Sequence, residues 1–398
     1  MKTLFLSHAA ALGGAELYLL DYLGHYRQEG RVVVFAEGAF SDGLRAVGAE
    51  VEVVAAPGNL LAVARETPGR QGTGVAGGVL ALARRVARTA TAGGFDLLFA
   101  NSQKAFVVGA LAALLARRPI VWCLHDILSA EHFSAANRKL VVALANLTGA
   151  LVVANSRATA DAFVRSGGRA ARVRVVYNGI DVDAFGAPPA GAGRTALRDE
   201  LGIGDAPLVG LFSRLSSWKG QHVLLGALAE LPGAHAVLVG DALFGEDAYA
   251  EALHVQARQL GIAARVHFLG FRRDVPELMR EVDVVAHTST AAEPFGRVIV
   301  EGMLAGRPVV ATRGGAVAEI VEAGVTGLTV EPGDAPGLAA AIRTLLAEPE
   351  RAAAMTAAAR LAAAARFSLP VMAADLSRCL TEAAAPAGGA PDYEPQVA

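Results

Sequence analysis

Residues 286–330 read AHTSTAAEPFGRVIVEGMLAGRPVVATRGGAVAEIVEAGVTGLTV. An apolar strand over 284–287 runs into this stretch. Val298, Ile299, Met303 and Leu304 then recur at helical spacing, with Pro294 suited to the first helical turn, where its missing N–H costs nothing. Residues 308–312 form a second apolar strand, Gly314–Gly315 a turn into a short helix, and 327–330 a third strand. Strands without a polar face, separated by helices, specify a parallel sheet covered on both sides. Glu293 and Glu301 stand eight positions apart. At a helical rise that is roughly 12 Å, too far to share one proton or metal ion, but suited to gripping two ends of an extended ligand. The amides of Gly296, Arg297 and Val298, at a helix N-terminus, offer a phosphate site. Together they point to a ligand with polar ends and phosphate between them, such as a nucleotide sugar.

The same alternation extends through the chain. Strands are expected at 2–7, 31–36, 51–54, 96–100, 119–124, 151–154 and 173–177, with helices at 15–28, 75–91, 103–116, 134–147 and 156–166. Residues 58–74 carry Pro, Gly and polar side chains and read as a long surface loop; 178–194, with Pro188–Pro189, read as an interdomain connection. The pattern then restarts, with strands at 208–212, 235–239 and 265–269 and helices at 220–231, 249–260 and 274–281. After the opening stretch, helices run from 335 to about 385. The fold class is α/β, as two doubly wound Rossmann-like domains facing across a cleft, with ligands at the carboxyl ends of strands.

Composition narrows the function classes. The 398 residues carry a formal net charge of −2 with dispersed positive charge, so the electrostatic footprint of a nucleic-acid-binding protein is missing. Cys123 and Cys379, far apart in apolar segments, read as buried thiols of a reducing compartment. The N-terminus superficially resembles a secretion signal, but Ser7 and His8 interrupt its short apolar core, and a buried first strand is the better reading. No apolar run reaches membrane-span length. Arg84, Arg85 and Arg88, with Arg117 and Arg118, read as solvated charges, with weak peripheral membrane contact as the alternative.

Four loops at strand ends are candidates for chemistry. Gly13–Gly14 let backbone approach a ligand, although the turn is not a dinucleotide fingerprint. In 213–220, SRLSSWKG, Arg214 and Lys219 beside a helix start make a credible diphosphate clamp, although surface charges on a loop are the slightly preferred reading of that loop taken alone. Gly270–Phe271–Arg272 offers an apolar side chain and backbone groups for a nucleobase edge, although a plain strand-to-helix turn is the commoner case. The fourth is the Glu293–Glu301 run. His125, at the end of strand 119–124, points toward the expected cleft; a structural histidine is the commoner case for a lone His, and His8 has weaker support.

These motifs, taken in order, resemble a known family. The 213–220 loop, EPFGRVIVE, GGAVAEIV, GVTGLTVEPGD, the N-terminal LGGAE and VVYNGIDVDAF are similar to the family 4 retaining glycosyltransferases (glycosyl transferases group 1), which have the GT-B fold. The resemblance is dense over 173–346 and thinner before it. It implies an acceptor-side domain over 1–185, a linker at 186–194 and a nucleotide-sugar-binding domain over 195–366. A C-terminal helix at 367–385 would pack back on the first domain, followed by a disordered tail at 386–398. It also implies roles. Glu293 would contact donor-sugar hydroxyls with the Phe295 and Gly296 amides in support, and Glu301 would bind the ribose. Arg214 and Lys219 would neutralise the leaving diphosphate. Gly13 and Gly14 would sit against diphosphate or acceptor, His125 against the donor sugar, and the backbone near Phe271 against the base. The family usually has Gly where this chain has Ser213.

The activity implied is transfer of a hexose from a nucleotide-diphosphate sugar, UDP-sugar by default, to a hydroxyl acceptor with retention. No cofactor is expected and no metal, because the two basic residues take a metal's electrostatic place. A sugar-nucleotide epimerase, a phosphorylase and a non-catalytic nucleotide-sugar-binding subunit are the alternatives. The expected location is cytoplasmic. Cell-envelope or exopolysaccharide intermediates and small natural products both fit as acceptors; the sequence leaves the acceptor and the oligomeric state open.

Overall fold

The computed structural model describes residues 1–26, 28–56, 73–131, 133–186, 196–243, 245–385 and 393–395. The described chain forms two compact units, one of Met1–Gly179 with Leu369–Ala398, the other of Ile180–Ser368.

The first unit holds strands β1 (Thr3–Ser7), β2 (Gly30–Val34), β3 (Val51–Val53), β4 (Leu97–Ala100), β5 (Ile120–Leu124), β6 (Leu151–Ala154) and β7 (Val173–Val175). They pair in the order β3-β2-β1-β4-β5-β6-β7, all parallel. Its helices are α1 (Gly14–His25), α2 (Ala39–Ala46), α3 (Thr73–Ala92), α4 (Gln103–Ala116), α5 (Ala135–Thr148) and α6 (Arg157–Arg165). Alternate strand residues feed two cores. Leu4, Leu6, Leu98, Ala100, Trp122 and Val152 face one side. Phe5, Leu97, Phe99, Val121, Cys123 and Val153 face the other. That two-sided burial is why these strands read as unbroken apolar runs. Ser102, Ser134 and Ser156 cap α4, α5 and α6, each side chain accepting from a first-turn amide.

The second unit repeats the scheme with β8 (Leu208–Phe212), β9 (His235–Val239), β10 (Val266–Gly270), β11 (Val284–His287), β12 (Val309–Thr312) and β13 (Leu328–Val330), in the order β10-β9-β8-β11-β12-β13. Its helices are α7 (Ala196–Leu201), α8 (Gln221–Ala229), α9 (Asp247–Gln259), α10 (Val275–Glu281), α11 (Arg297–Leu304), α12 (Val317–Ile320), α13 (Ala335–Ala347) and α14 (Pro349–Arg366). The chain then returns to the first unit as α15 (Leu369–Ala384), whose Met372, Ala373, Leu376, Leu380 and Ala383 pack beside Phe5, Tyr18 and Val121. The return of the C-terminal helix is as the resemblance implied.

Both sheets have the doubly wound order, in which the strand sequence reverses between β1 and β4 and between β8 and β11. Loops leaving the carboxyl ends of those pairs diverge and leave a crevice.

Several local expectations change. Helix α2 was not anticipated. Pro294 lies ahead of α11, which begins at Arg297 with Gly296 as its cap in the left-handed conformation (φ 95°). Only Arg297 onward is therefore helical between Glu293 and Glu301, and a spacing built on continuous helical rise does not hold. The loop expected at 58–74 lies outside the described residues up to 72, with α3 starting at Thr73. Most of the expected linker, from 187, and most of the tail also lie outside them. Within the tail, Tyr393 is described: its hydroxyl donates to Asp161 Oδ1 at 2.8 Å. Cys123 and Cys379 are free and buried. Among the described residues no helix is long and apolar enough to cross a membrane. Arg84, Arg85, Arg88, Arg117 and Arg118 are all exposed.

Candidate active site

At the switch point of the second sheet, β8 and β11 are neighbours, with Val284 opposite Val209 and Val285 opposite Gly210. The loop after β8 carries Arg214 and Lys219; the loop after β11 carries Glu293. Topology alone therefore brings together groups more than seventy positions apart. Two backbone-mediated ties lock the loops: Thr290 N donates to Trp218 O at 2.8 Å, and Thr288 Oγ1 donates to Lys219 O at 2.8 Å.

Two glycines make this close approach feasible. A Cβ on Gly220 (φ 70°) would lie 2.0 Å from the Thr288 carbonyl oxygen, and one on Gly315 (φ 58°) 2.1 Å from the Glu293 carbonyl oxygen. Both conformations and both clearances exclude a side chain. The second half of the GG turn thus serves as a seat for the Glu293 backbone, which also accepts from Ala316 N at 2.9 Å.

The Glu293 side chain is the centre of the site. Three donors converge on one oxygen, Oε2: Lys219 Nζ at 2.7 Å, Ser289 Oγ at 2.9 Å and His287 Nε2 at 3.1 Å. Oε1 has no hydrogen-bond partner among the described residues. The carboxylate is thus anchored by one oxygen and offers the other. The His287 ring is held in turn, with Thr312 Oγ1 at 3.4 Å from Nδ1, while Thr312 Oγ1 donates to Ser289 O at 2.7 Å. His287, Ser289, Glu293 and Thr312 are all buried. Burial by itself pushes the Glu293 carboxyl up. The Lys219 charge, the His287 hydrogen bond and charge, and the Lys219 hydrogen bond outweigh it together and hold the group well below the usual carboxylate range. Glu293 is therefore an ionised acceptor at neutral pH and a poor general base.

Lys219, with three ammonium hydrogens, gives one to Glu293 and has no other hydrogen-bond acceptor among the described residues. Its Nζ lies 4.0 Å from the Trp218 ring centroid, and the Arg214 guanidinium lies 5.7 Å from the same ring. The indole thus spaces two cations that would otherwise repel. Arg214 is fixed through its backbone by Gln221, a fully buried side chain whose Nε2 donates to Arg214 O and to Ser213 Oγ, both at 2.9 Å. Ser213 is the residue that departs from the family pattern, and its hydroxyl is used by this brace. Gln221 Oε1 accepts from Tyr249 OH at 3.2 Å, a phenol pushed up to about 12 chiefly by burial.

The remaining second-unit candidates lie along the same edge. Glu301, on the second turn of α11, pairs with Arg297 at 3.3 Å, a contact at ion-pair distance without hydrogen-bond geometry at Arg297 Nε. Phe295 is buried and meets Phe367 edge-on, with centroids 5.6 Å apart. That contact fixes the turn into Gly296 and the first-turn amides of α11. Phe271, directly after β10, is 62% exposed.

Gly13, Gly14 and His125 belong to the first unit. His125 follows β5, and its Nε2 lies 3.1 Å from Asn101 Oδ1, which assigns the proton to Nε2; Asn101 Nδ2 donates to Ala15 O at 2.7 Å. Tyr18 packs edge-on to the imidazole, and His8 Nδ1 lies 2.7 Å from Ser102 Oγ. His8 follows β1, and Asn101 and Ser102 follow β4, so these groups gather at that sheet's switch point. Gly13 precedes α1, and a Cβ there would lie 3.0 Å from Glu16 Oε2. The GGAE turn therefore presents a buried carboxylate as well as open backbone. Among the described residues no group of three or more His, Cys, Asp or Glu is placed to hold a metal ion.

Sequence reading missed His287, Ser289, Thr312, Trp218, Gln221, Asn101 and Glu16 as parts of these sites. The one available signal was HTS at a strand's carboxyl end just before EPFG.

Two Rossmann-like α/β units in one chain, with cations and carboxylates gathered at the second unit's switch point, define the GT-B class of glycosyltransferases. Two family models match in succession, Glycosyltransferase Family 4 over residues 12–184 and Glycosyl transferases group 1 over residues 193–362. HepE of Anabaena, solved in complex with UDP-glucose, is 45% identical with a TM-score of 0.86, over 96% of this chain and 100% of that one. The chain belongs to glycosyltransferase family 4. The lipopolysaccharide core biosynthesis glycosyltransferase LpsE of Rhizobium meliloti is 38% identical over 161 residues, 40% of this chain and 46% of LpsE. A GDP-mannose-dependent alpha-(1-6)-phosphatidylinositol monomannoside mannosyltransferase of Mycolicibacterium smegmatis is 36% identical over 217 residues, 52% of this chain and 55% of that protein. The chain spans about half the length of these curated relatives.

Proposed function

We propose that the protein transfers a hexosyl group from a nucleotide-diphosphate sugar to a hydroxyl acceptor with retention of anomeric configuration, and that UDP-glucose is its donor. The observation that carries this reading is the half-satisfied Glu293 carboxylate. Its Oε2 is fixed by Lys219, Ser289 and His287, and its Oε1 is left without a hydrogen-bond partner among the described residues. In this reading Oε1 accepts from donor-sugar hydroxyls, and Glu301 accepts from the ribose. Lys219, Arg214 and the α11 amides take the diphosphate, and the chain after β10 meets the base. His125, Gly13 and Gly14 keep the donor-side roles that the resemblance implies. The full-length likeness to HepE, solved with UDP and with UDP-glucose, supports the choice of base and sugar.

Charge development sets the mechanism. The acceptor oxygen bonds to the anomeric carbon as the anomeric C–O bond breaks. The electron pair leaves with the diphosphate, and the acceptor's proton passes to the departing phosphate oxygen on the same face. Positive charge builds on the sugar near Glu293 and negative charge on the diphosphate near Lys219 and Arg214, so both are stabilised more in the transition state than in the ground state. Glu293 is too weakly basic to take the proton, which is the reason to assign that role to the leaving group. Two cations and helix amides hold the diphosphate, and no metal takes part.

A panel of nucleotide sugars scored by release of nucleoside diphosphate, with product anomers read by NMR, tests the reading. Release of UDP from UDP-glucose with an α-linked product supports it. An inverted product rejects retention; consumption of UDP-glucose without UDP release indicates an epimerase; binding without turnover indicates a non-catalytic subunit.

A further inference from the structure

The first unit contains a cavity of about 410 Å³ between the loop after β5, the first turns of α5 and the end of α6. Ile127 and Leu128 supply its apolar wall; Arg138, Lys139 and Arg165 supply three cations, and no Asp or Glu lines it. None of the three cations forms an ion pair with a described residue. Two polar atoms in its wall, Arg138 Nε and Ser129 Oγ, are buried without a hydrogen-bond partner among the described residues. Lys139 and Arg165 are exposed and Arg138 is half-buried, so solvent screens their mutual repulsion; the costly feature is the buried Arg138 Nε donor, which an anion in the space would satisfy. A guanidinium with an unused Nε–H matches the bidentate demand of a phosphoryl group. The volume falls in the range of small-molecule sites.

Position links this cavity to the transfer chemistry. Ile127 is two residues beyond His125, so their Cα atoms are within about 7.6 Å along the chain. We infer that the cavity binds the phosphoryl-bearing part of the acceptor, with Arg138 and Arg165 on the phosphate and Ile127 and Leu128 against an apolar flank. This rests on the transferase reading above, and narrows the acceptor to a phosphorylated one.

Calorimetry on the full chain, with UDP in excess so that the donor clamp is filled, tests the inference with three probes: octyl phosphate, octanol and inorganic phosphate. The expected result is octyl phosphate binding at least ten-fold tighter than octanol. That preference should vanish in the Arg138→Gln/Arg165→Gln double variant while its UDP affinity and thermal unfolding stay as in the wild type. Equal binding of inorganic phosphate and octyl phosphate supports a soluble phosphorylated acceptor; tighter binding of octyl phosphate supports a lipid-linked one. A lack of phosphate-dependent binding, or binding that persists in the double variant, overturns the inference. Should the double variant unfold, Ser129→Ala with Lys139→Gln replaces it, and unchanged phosphate affinity there overturns the inference equally. Failure of the wild type to bind UDP rejects the donor reading separately, because the charge dependence of octyl phosphate binding is read on its own.

Discussion

Replacing Glu293 by Gln keeps the side chain's length and one carbonyl oxygen but removes the charge that three donors share. In the wild type, Lys219 Nζ lies 2.7 Å from Oε2, with the two side chains 16% and 8% exposed. Solvent screens such a pair weakly, and removing one partner leaves an ammonium without its counter-charge, a loss of about 3–5 kcal/mol. The amide carbonyl still accepts one or two of the three hydrogen bonds, so about 3 kcal/mol of stability is expected to go, read as a lower midpoint in urea with an unchanged slope. The pH dependence has a definite sign. The folded-state Glu293 carboxyl is held well below its unfolded value, so its contribution is fully present above the unfolded carboxylate pKa of about 4.3 and is lost as pH falls through the folded value. The difference between wild type and Glu293→Gln should therefore be constant from pH 6 to 8, and should shrink below about pH 4.3. On turnover, exchanging an ionised acceptor for a neutral one at the sugar costs about 1.5–3 kcal/mol, or roughly 10- to 150-fold in kcat/KM. UDP release from UDP-glucose is the assay. Near-wild-type turnover together with an unshifted urea midpoint would refute the argument that Oε2 anchoring and Oε1 presentation matter.

Other consequences follow from the same geometry. Lys219→Met removes the counter-charge of Glu293 and one diphosphate ligand; UDP release should fall at least 100-fold, and the Glu293 carboxyl should titrate at higher pH by carboxylate-detected NMR. Gly315→Ala places a methyl 2.1 Å from the Glu293 carbonyl oxygen in a left-handed backbone, so turnover and stability should drop together, by more than about 1 kcal/mol in urea. Excess EDTA during the donor panel should leave the rate unchanged; loss of activity restored by Mg²⁺ or Mn²⁺ would contradict the assignment of the diphosphate to Lys219 and Arg214.

Much of the fold was legible because both sheets are buried on both faces. Runs such as Leu208–Phe212 and Val284–His287 are buried throughout, and Ser213 after the first and Thr288–Ser289 after the second mark their ends. Helix α2 escaped notice because its two turns, AFSDGLRA, contain Gly43 and polar residues that mimic a loop; Phe40 and Leu44 supply the burial that decides the matter. Pro294 misled because proline suits a helix start, while the left-handed Gly296 two residues later sets the actual start. The Lys219–Glu293 pair could not be read from spacing, since the pairing of β8 with β11 creates it. His287 looked like the end of an apolar strand, and only its burial against Glu293 and Thr312 gives it a role. Ser213, a departure from the family pattern, proved to be a hydrogen-bond partner of Gln221 rather than a loss.

The central claim is that Glu293 and Glu301 hold opposite ends of one nucleotide sugar, and calorimetric titration of UDP and of UDP-glucose into the wild type, Glu293→Gln and Glu301→Gln tests it most directly. The account predicts that Glu301→Gln weakens both ligands by a similar factor of about ten, because both carry the ribose. Glu293→Gln should weaken UDP-glucose alone and leave UDP bound as tightly as before or tighter, since Lys219 then has no carboxylate competing for it. Equal losses for both ligands in Glu293→Gln, or a wild type that binds neither, would contradict it.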